Sequence, residues 1–220
     1  NILSDYLRGG SEMAFVDVLQ LITTHYSGHR TSYATLLDPC ARDGSSILYL
    51  RSKIFGSSYR NIFAVEKNEA LSISAKDCLE YSDKVTCGDF FHMEWSSSIP
   101  EPMCTFVWCK PPASQEFKFL DRINLMLHSD GVLIFYINHK ALSSCVDALA
   151  DNYRDIRVSR IDPNMYFRGV NDCVVMASKK NPVDPKAKDL LIQYASDFES
   201  IPLLKDARPH NVKEVPSNYV

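Results

Sequence analysis

The sequence has no strong excess of either charge, no long apolar run, no paired-cysteine motif and no internal repeat. Each absence removes a class of protein. Lysine and arginine number 24 against 27 aspartates and glutamates, leaving a net charge of −3. The chain therefore has no global basic footprint for nucleic acid, although a local basic groove or a basic partner subunit stays open. No apolar stretch reaches the roughly 18 residues that a membrane span requires, so no membrane role is expected. Residues 1–20 contain acids and lack the basic, apolar and small-residue layout of a signal peptide. The first residue is Asn1 and not Met, as a processed terminus or an excised segment of a longer protein would give.

The seven cysteines (Cys40, Cys78, Cys87, Cys104, Cys109, Cys145 and Cys173) are odd in number, and no two stand in C-x-x-C spacing. This argues against a disulfide framework and for a reducing compartment, cytoplasmic or nuclear. His25 and His29 are four apart, but no second ligand pair follows at finger-like spacing, so no metal is expected.

What is present is ordinary globular composition, 45% hydrophobic and 23% charged over 220 residues, enough for one large domain. Apolar residues at Phe15, Val16, Leu19 and Ile22 have helical spacing, which predicts a helix over Glu12–Tyr26. Strands and helices then alternate. Strands are predicted at Tyr33–Asp38, Asn61–Glu66, Lys84–Cys87, Met103–Cys109, Gly131–Ile137, Asp155–Ile161 and Asp172–Ala177. Helices are predicted at Ser45–Phe55, from Asn68 to about Tyr81, at Gln115–Leu127 and at Ala141–Asn152. Near-continuous apolar strands separated by helices mean an α/β domain, a Rossmann-like seven-stranded and mostly parallel sheet with helices on both faces. Prolines punctuate the chain after Lys180; a helix over Lys186–Glu199 and an extended arm beyond Ile201 are expected there. The organisation is thus an N-terminal helical segment (1–30), the α/β domain (31–180), and a C-terminal helix and arm (181–220). The arm either packs on the domain or reaches a partner subunit.

Open α/β sheets bind ligands beyond the C-terminal ends of their strands, which puts function in loops 38–44, 66–68, 88–92, 109–115 and 137–140. The first reads Asp38-Pro39-Cys40-Ala41-Arg42-Asp43-Gly44, an acid and a glycine turn entering a helix, as in nucleotide sites. Glu66 closes the second strand, 22 residues after Gly44. An acid there can accept both hydroxyl protons of a ribose. Asp89, after the third strand, could accept adenine amino protons, with Phe90 against the ring face and Phe91 in the core. Lys110-Pro111-Pro112-Ala113 follows the fourth strand, where the double proline holds the preceding residue rigidly extended.

Taken together these loops resemble the amino-methyltransferase branch of the class I S-adenosylmethionine (SAM)-dependent methyltransferases, which includes the DNA adenine-N6 enzymes. The resemblance spans about Tyr33 to Lys180 and lies in the order DPCAxxG, VE, GDF, xxPP. More narrowly, the chain is similar to compact bacterial and phage methyltransferase-like domains, through the GVLIFYIN strand and the Tyr166-Phe167 segment. The resemblance implies SAM as cofactor. It implies that Asp38, Cys40 and Gly44 hold the methionine part, Glu66 the ribose, and Asp89 and Phe90 the adenine. It also implies that Lys110, Pro111 and Pro112 stand in the catalytic tetrapeptide.

The chain departs from the family pattern in two loops. Arg42 stands where the family has its first loop glycine. Lys110 stands where the family has Asn, Asp or Ser, and Ala113 where it has an aromatic residue. An ammonium has donors and no acceptor, so Lys110 cannot take up the protons of a target amine. Alanine cannot stack on a flipped base, a loss of roughly 1–3 kcal/mol. Two functions are compatible with this. One is a degenerate pseudoenzyme that associates with nucleic acid, DNA or RNA, or with a partner subunit. The alternative is an active SAM-dependent enzyme with a non-adenine acceptor, in which Lys110 contacts an anionic group. Arg154, Arg157, Arg160, Arg168, Lys179 and Lys180 give the late sheet a basic bias, read here as a solvated face.

Overall fold

The computed structural model describes residues 10–26, 34–56, 61–80, 84–93, 104–162, 171–179 and 185–207. Helix α1 is Gly10–Thr24. It is followed by β1 (Leu36–Asp38), α2 (Ser45–Leu50), β2 (Ile62–Glu66), α3 (Glu69–Leu79) and β3 (Val85–Cys87). Next come β4 (Cys104–Cys109), α4 (Glu116–Met126), β5 (Leu127–Asn138), α5 (His139–Asn152), β6 (Tyr153–Arg160), β7 (Asp172–Lys179) and α6 (Pro185–Ser196). The seven strands make one sheet in the order β3-β2-β1-β4-β5-β7-β6. All neighbours are parallel except β7, which runs antiparallel to both β5 and β6. The predicted architecture is the one observed.

Successive side chains of a strand point to opposite faces, and here both faces are apolar. Phe106, Trp108, Val132, Ile134 and Tyr136 join one core with Val18 and Ile22 of α1, Ile47 and Leu50 of α2, and Ala75 and Leu79 of α3. Val107, Cys109, Leu133, Phe135 and Ile137 join the other, with Phe119 and Ile123 of α4, Leu142 and Leu149 of α5, and Leu191 of α6. Double burial is why these strands read as unbroken apolar runs. Local caps agree with the layering. The Asn68 side chain accepts the Leu71 N–H at the start of α3, and Asn138 accepts the Lys140 N–H at the start of α5.

Several boundaries differ from the sequence prediction, two of them with a local cause. Helix α2 gives way to a π-helical turn over Arg51–Phe55, ended by Gly56 at φ 98°. Helix α4 ends at Met126, and β5 starts at Leu127 where Gly131 was predicted. The Lys179 ammonium of β7 donates to the Asn124 and Leu127 carbonyls and so satisfies the end of α4 from outside the helix. The chain then bulges before it regains register with β4. Gly131 is required at that bulge because a Cβ would lie 2.5 Å from Leu127 Cδ1 and 2.7 Å from the His128 carbonyl oxygen.

The segment beyond Ile201 packs on the domain. Ile201 and Leu204 are buried, and Leu203 bridges to Arg160 on edge strand β6. The Arg160 side chain donates to the Ile201 carbonyl at 2.9 Å and pairs with Glu199 at 3.1 Å. Residues 208–220 lie outside the described residues, as do Tyr33, Met103, Tyr166, Phe167, Arg168 and Lys180. No helix among the described residues is long and apolar enough to cross a membrane.

Candidate functional site

β1 stands between β2 and β4, so the chain leaves its C-terminal end at the point where strand order reverses. A crevice must open there. It does, as a cavity of about 380 Å³ lined by loops from β1, β2, β3 and β4. Of the residues singled out from sequence, Cys40, Glu66, Asp89, Phe90, Lys110, Pro111 and Pro112 line it; Asp38 and Gly44 do not.

Glu66 organises the crevice. Its Oε2 accepts the Arg42 backbone N–H at 2.8 Å and its Oε1 accepts the Asn68 N–H at 2.7 Å. One carboxylate thus ties the loop after β1 to the start of α3. Each oxygen keeps a lone pair, which is what two ribose hydroxyls need. Asp89 is engaged differently. Its Oδ1 accepts the Phe91 N–H at 3.0 Å, and its Oδ2 pairs with the Lys67 ammonium at 2.8 Å. The Lys67 bond, then that of Phe91, holds the Asp89 carboxyl below the usual aspartate range. Lys67 is exposed, so this partner can be displaced.

The two phenylalanines exchange their expected roles in part. Phe90 is only 2% exposed and stacks on Phe119 with ring centroids 5.5 Å apart and planes 9° apart. Phe91, expected in the core, is half-buried, edge-on to Phe119 at 4.8 Å, with the Lys118 ammonium 5.0 Å from its ring centre. Both line the cavity, and with Leu71 and Phe119 they make an apolar wall suited to a base.

Asp38 is 2% exposed and does not line the cavity. Its Oδ1 accepts the Cys40 N–H at 3.2 Å. Burial pushes its carboxyl up to about 8, against that hydrogen bond and with help from neighbouring Glu66 and Asp43. Gly44 faces α3, where a Cβ would sit 3.3 Å from the Ala75 Cα. Its observed role is close helix packing, and its φ of 78° is one that glycine adopts without strain. Arg42 has φ 51°. The backbone there keeps a glycine-like conformation although the residue is arginine.

The Lys110 ammonium lies 4.6 Å from the ring centre of Tyr136 on β5. Burial lowers its pKa, with Arg42 acting in the same direction and Asp172 opposing. The Tyr136 hydroxyl donates to Asp172 Oδ2 at 2.9 Å, and Asn138 Nδ2 donates to Oδ1 at 3.2 Å. Beneath the loop, the Cys40 thiol donates to the Lys110 carbonyl at 3.1 Å and lies 3.7 Å from the Cys109 sulfur. Both thiols are free, and burial raises both. Ala113 is exposed and no aromatic ring replaces it in the loop 110–115.

Sequence reasoning held Lys67 and Gln115 only as unnamed members of its loops and missed Leu71, Phe119 and the Tyr136–Asp172 pair. Lys67 carried a signal, as a cation directly after the ribose-type acid. Asp172 carried none, because β7 reaches the site only through antiparallel pairing, with Asn138 opposite Asp172. Of the late basic residues, Arg154, Arg160 and Lys179 are engaged within the domain. Arg154 pairs with Asp130 and Asp155, Arg160 with Glu199, and Lys179 with the end of α4. Among the described residues, no group of three or more His, Cys, Asp or Glu could hold a metal ion.

No family model and no curated protein matches the chain by sequence. Solved structures do match its fold. A type I restriction-modification methyltransferase subunit from Streptococcus thermophilus aligns with TM-score 0.58 at 16% identity, covering 84% of this chain and 52% of that one. The chain has the fold of the class I SAM-dependent methyltransferases. M. jannaschii TYW2 in complex with AdoMet aligns with TM-score 0.54 at 17% identity, covering 76% of each chain. Precorrin-6y C5,15-methyltransferase from Geobacter metallireducens aligns with TM-score 0.53 at 17% identity, covering 75% of this chain and 87% of that one. These proteins share a scaffold, so the fold fixes where the crevice is and leaves the chemistry to the loop side chains.

Proposed function

We propose that this chain is a nucleoside-binding methyltransferase-like domain that has lost adenine-N6 transfer and acts as a nucleic-acid-associated or partner-binding pseudoenzyme. One observation carries the reading: the residue before the two prolines is Lys110, whose ammonium rests on the Tyr136 ring. It offers no acceptor for the protons of a target amine, and Ala113 offers no ring for a flipped base.

S-Adenosylmethionine matches the site only in part. The nucleoside half fits. Glu66 has free lone pairs for the ribose, Phe90, Phe91, Phe119 and Leu71 wall a base, and Asp89 can accept its amino protons once Lys67 yields. The amino-acid half does not fit. Asp38, the acid expected to hold the methionine part, is buried and does not line the cavity. No methyl-transfer step is therefore derived. A partner role is supported by likeness to a restriction-modification subunit and by α6, which leaves Leu190 and Ile192 41% and 51% exposed.

A second reading, an active enzyme with a non-adenine acceptor, draws on Lys110 and Arg42. These cations could hold an anionic acceptor group.

Radiolabelled SAM supplied with DNA, RNA and protein acceptors tests both. The pseudoenzyme reading expects no label above background from the natural chain. Transfer to any acceptor overturns it in favour of the second reading.

A further inference from the structure

The charges around the cavity do not suit a sulfonium. The Lys67–Asp89 pair is neutral as a unit. Glu66 supplies a negative charge at the ribose position, and its carboxylate already accepts two backbone N–H groups. Arg42 and Lys110 both line the same cavity, so its lining carries three cations, with Lys67, against two carboxylates. The Arg42 backbone is anchored there by its own N–H on Glu66. Lys110 is anchored by its carbonyl on the Cys40 thiol and by its ammonium over Tyr136. Burial lowers the Lys110 pKa most, and Arg42 acts in the same direction. Asp38, the acid of that loop, is buried and does not line the cavity.

We infer that this cavity takes an adenosine carrying an anionic 5′ group, a nucleoside phosphate, in preference to SAM. The inference rests on the nucleoside-site reading above. SAM carries a sulfonium and an ammonium against one carboxylate, a net positive charge, and would bring two cations toward Arg42 and Lys110. A 5′-phosphate brings charge of the opposite sign to the same place and can take a bidentate contact from the guanidinium. S-Adenosylhomocysteine, which lacks the sulfonium and is net neutral, is expected between the two.

Calorimetric titration of the whole chain with adenosine, adenosine 5′-monophosphate, S-adenosylhomocysteine and SAM tests this at low and high salt. The monophosphate is expected to bind roughly tenfold more tightly than SAM at low salt, with the gap closing as salt rises. Arg42→Gln and Lys110→Gln are each expected to collapse the ratio of monophosphate to adenosine affinity, with circular dichroism confirming that both variants fold. SAM binding as tightly as the monophosphate overturns the inference, and so does an unchanged ratio in both variants. Adenosine binding with no preference for the phosphate removes this inference alone. Binding of none of the four removes the nucleoside-site reading and the inference with it.

Discussion

The backbone N–H of Arg42 donates to Glu66 Oε2 at 2.8 Å while Arg42 itself sits at φ 51°. A bulky residue holds a left-handed conformation because an acid on the neighbouring strand accepts its N–H. The loop keeps a glycine's backbone shape and presents a guanidinium from it.

Glu66→Ala leaves the Arg42 and Asn68 N–H groups without their partner. The expected loss is about 1–3 kcal/mol, read as a lower urea midpoint with an unchanged slope. Glu66→Gln retains an acceptor oxygen and should lose less. Equal stability of the Ala variant and the natural chain would show that the carboxylate does not hold the loop.

Arg42→Gly and Arg42→Ala both remove the guanidinium, so their difference isolates the backbone. Glycine is expected to be the more stable of the two by about 1 kcal/mol, since only the Ala Cβ meets the left-handed penalty. Thermal unfolding of the pair checks this, and an Ala variant as stable as Gly would contradict it.

Gly44→Ala combines φ 78° with a Cβ placed 3.3 Å from the Ala75 backbone. A loss of about 1–2 kcal/mol is expected. Gly88→Ala is the control, because a Cβ there meets nothing within 4 Å. Similar losses at both positions would remove the packing role given to Gly44.

Asp38 links stability to pH. Its folded pKa is raised from 3.8 to about 8, so between those values the folded state holds a proton that the unfolded state has released. Stability from this group is full below the unfolded value and is lost as pH rises toward 8. The slope is at most about 1.4 kcal/mol per pH unit. Asp38→Asn should abolish this slope, so the variant gains on the natural chain as pH rises across that window. Parallel stability–pH curves for the two proteins would show that Asp38 does not titrate this way.

Lys67→Met removes the leading cause of the low Asp89 pKa. The Asp89 carboxyl should titrate at higher pH in the variant, followed by carbon-detected NMR. It should stay somewhat below the usual aspartate value because the Phe91 N–H remains. An unmoved titration would mean that the ion pair does not form in solution.

The sequence by itself determined the sheet and the mouth of the site. Runs such as Cys104–Cys109 are buried on both faces, and a two-sided strand favours apolar residues at successive positions, so pattern and fold carry the same information. Glu66, Asp89 and the proline pair were legible because strand ends in a parallel sheet converge on one edge. The tertiary structure decided the rest. Whether Asp38 faces the ligand or the core depends on a loop conformation set by Glu66, a residue from another strand. Whether Gly44 serves a ligand or a helix contact depends on the distance to Ala75. The partner of the Lys110 ammonium, Tyr136, and the acid behind it, Asp172, come from strands that meet only through sheet pairing. Hydrogen bonding and desolvation act over a few ångströms in space, and separation along the chain does not report that distance.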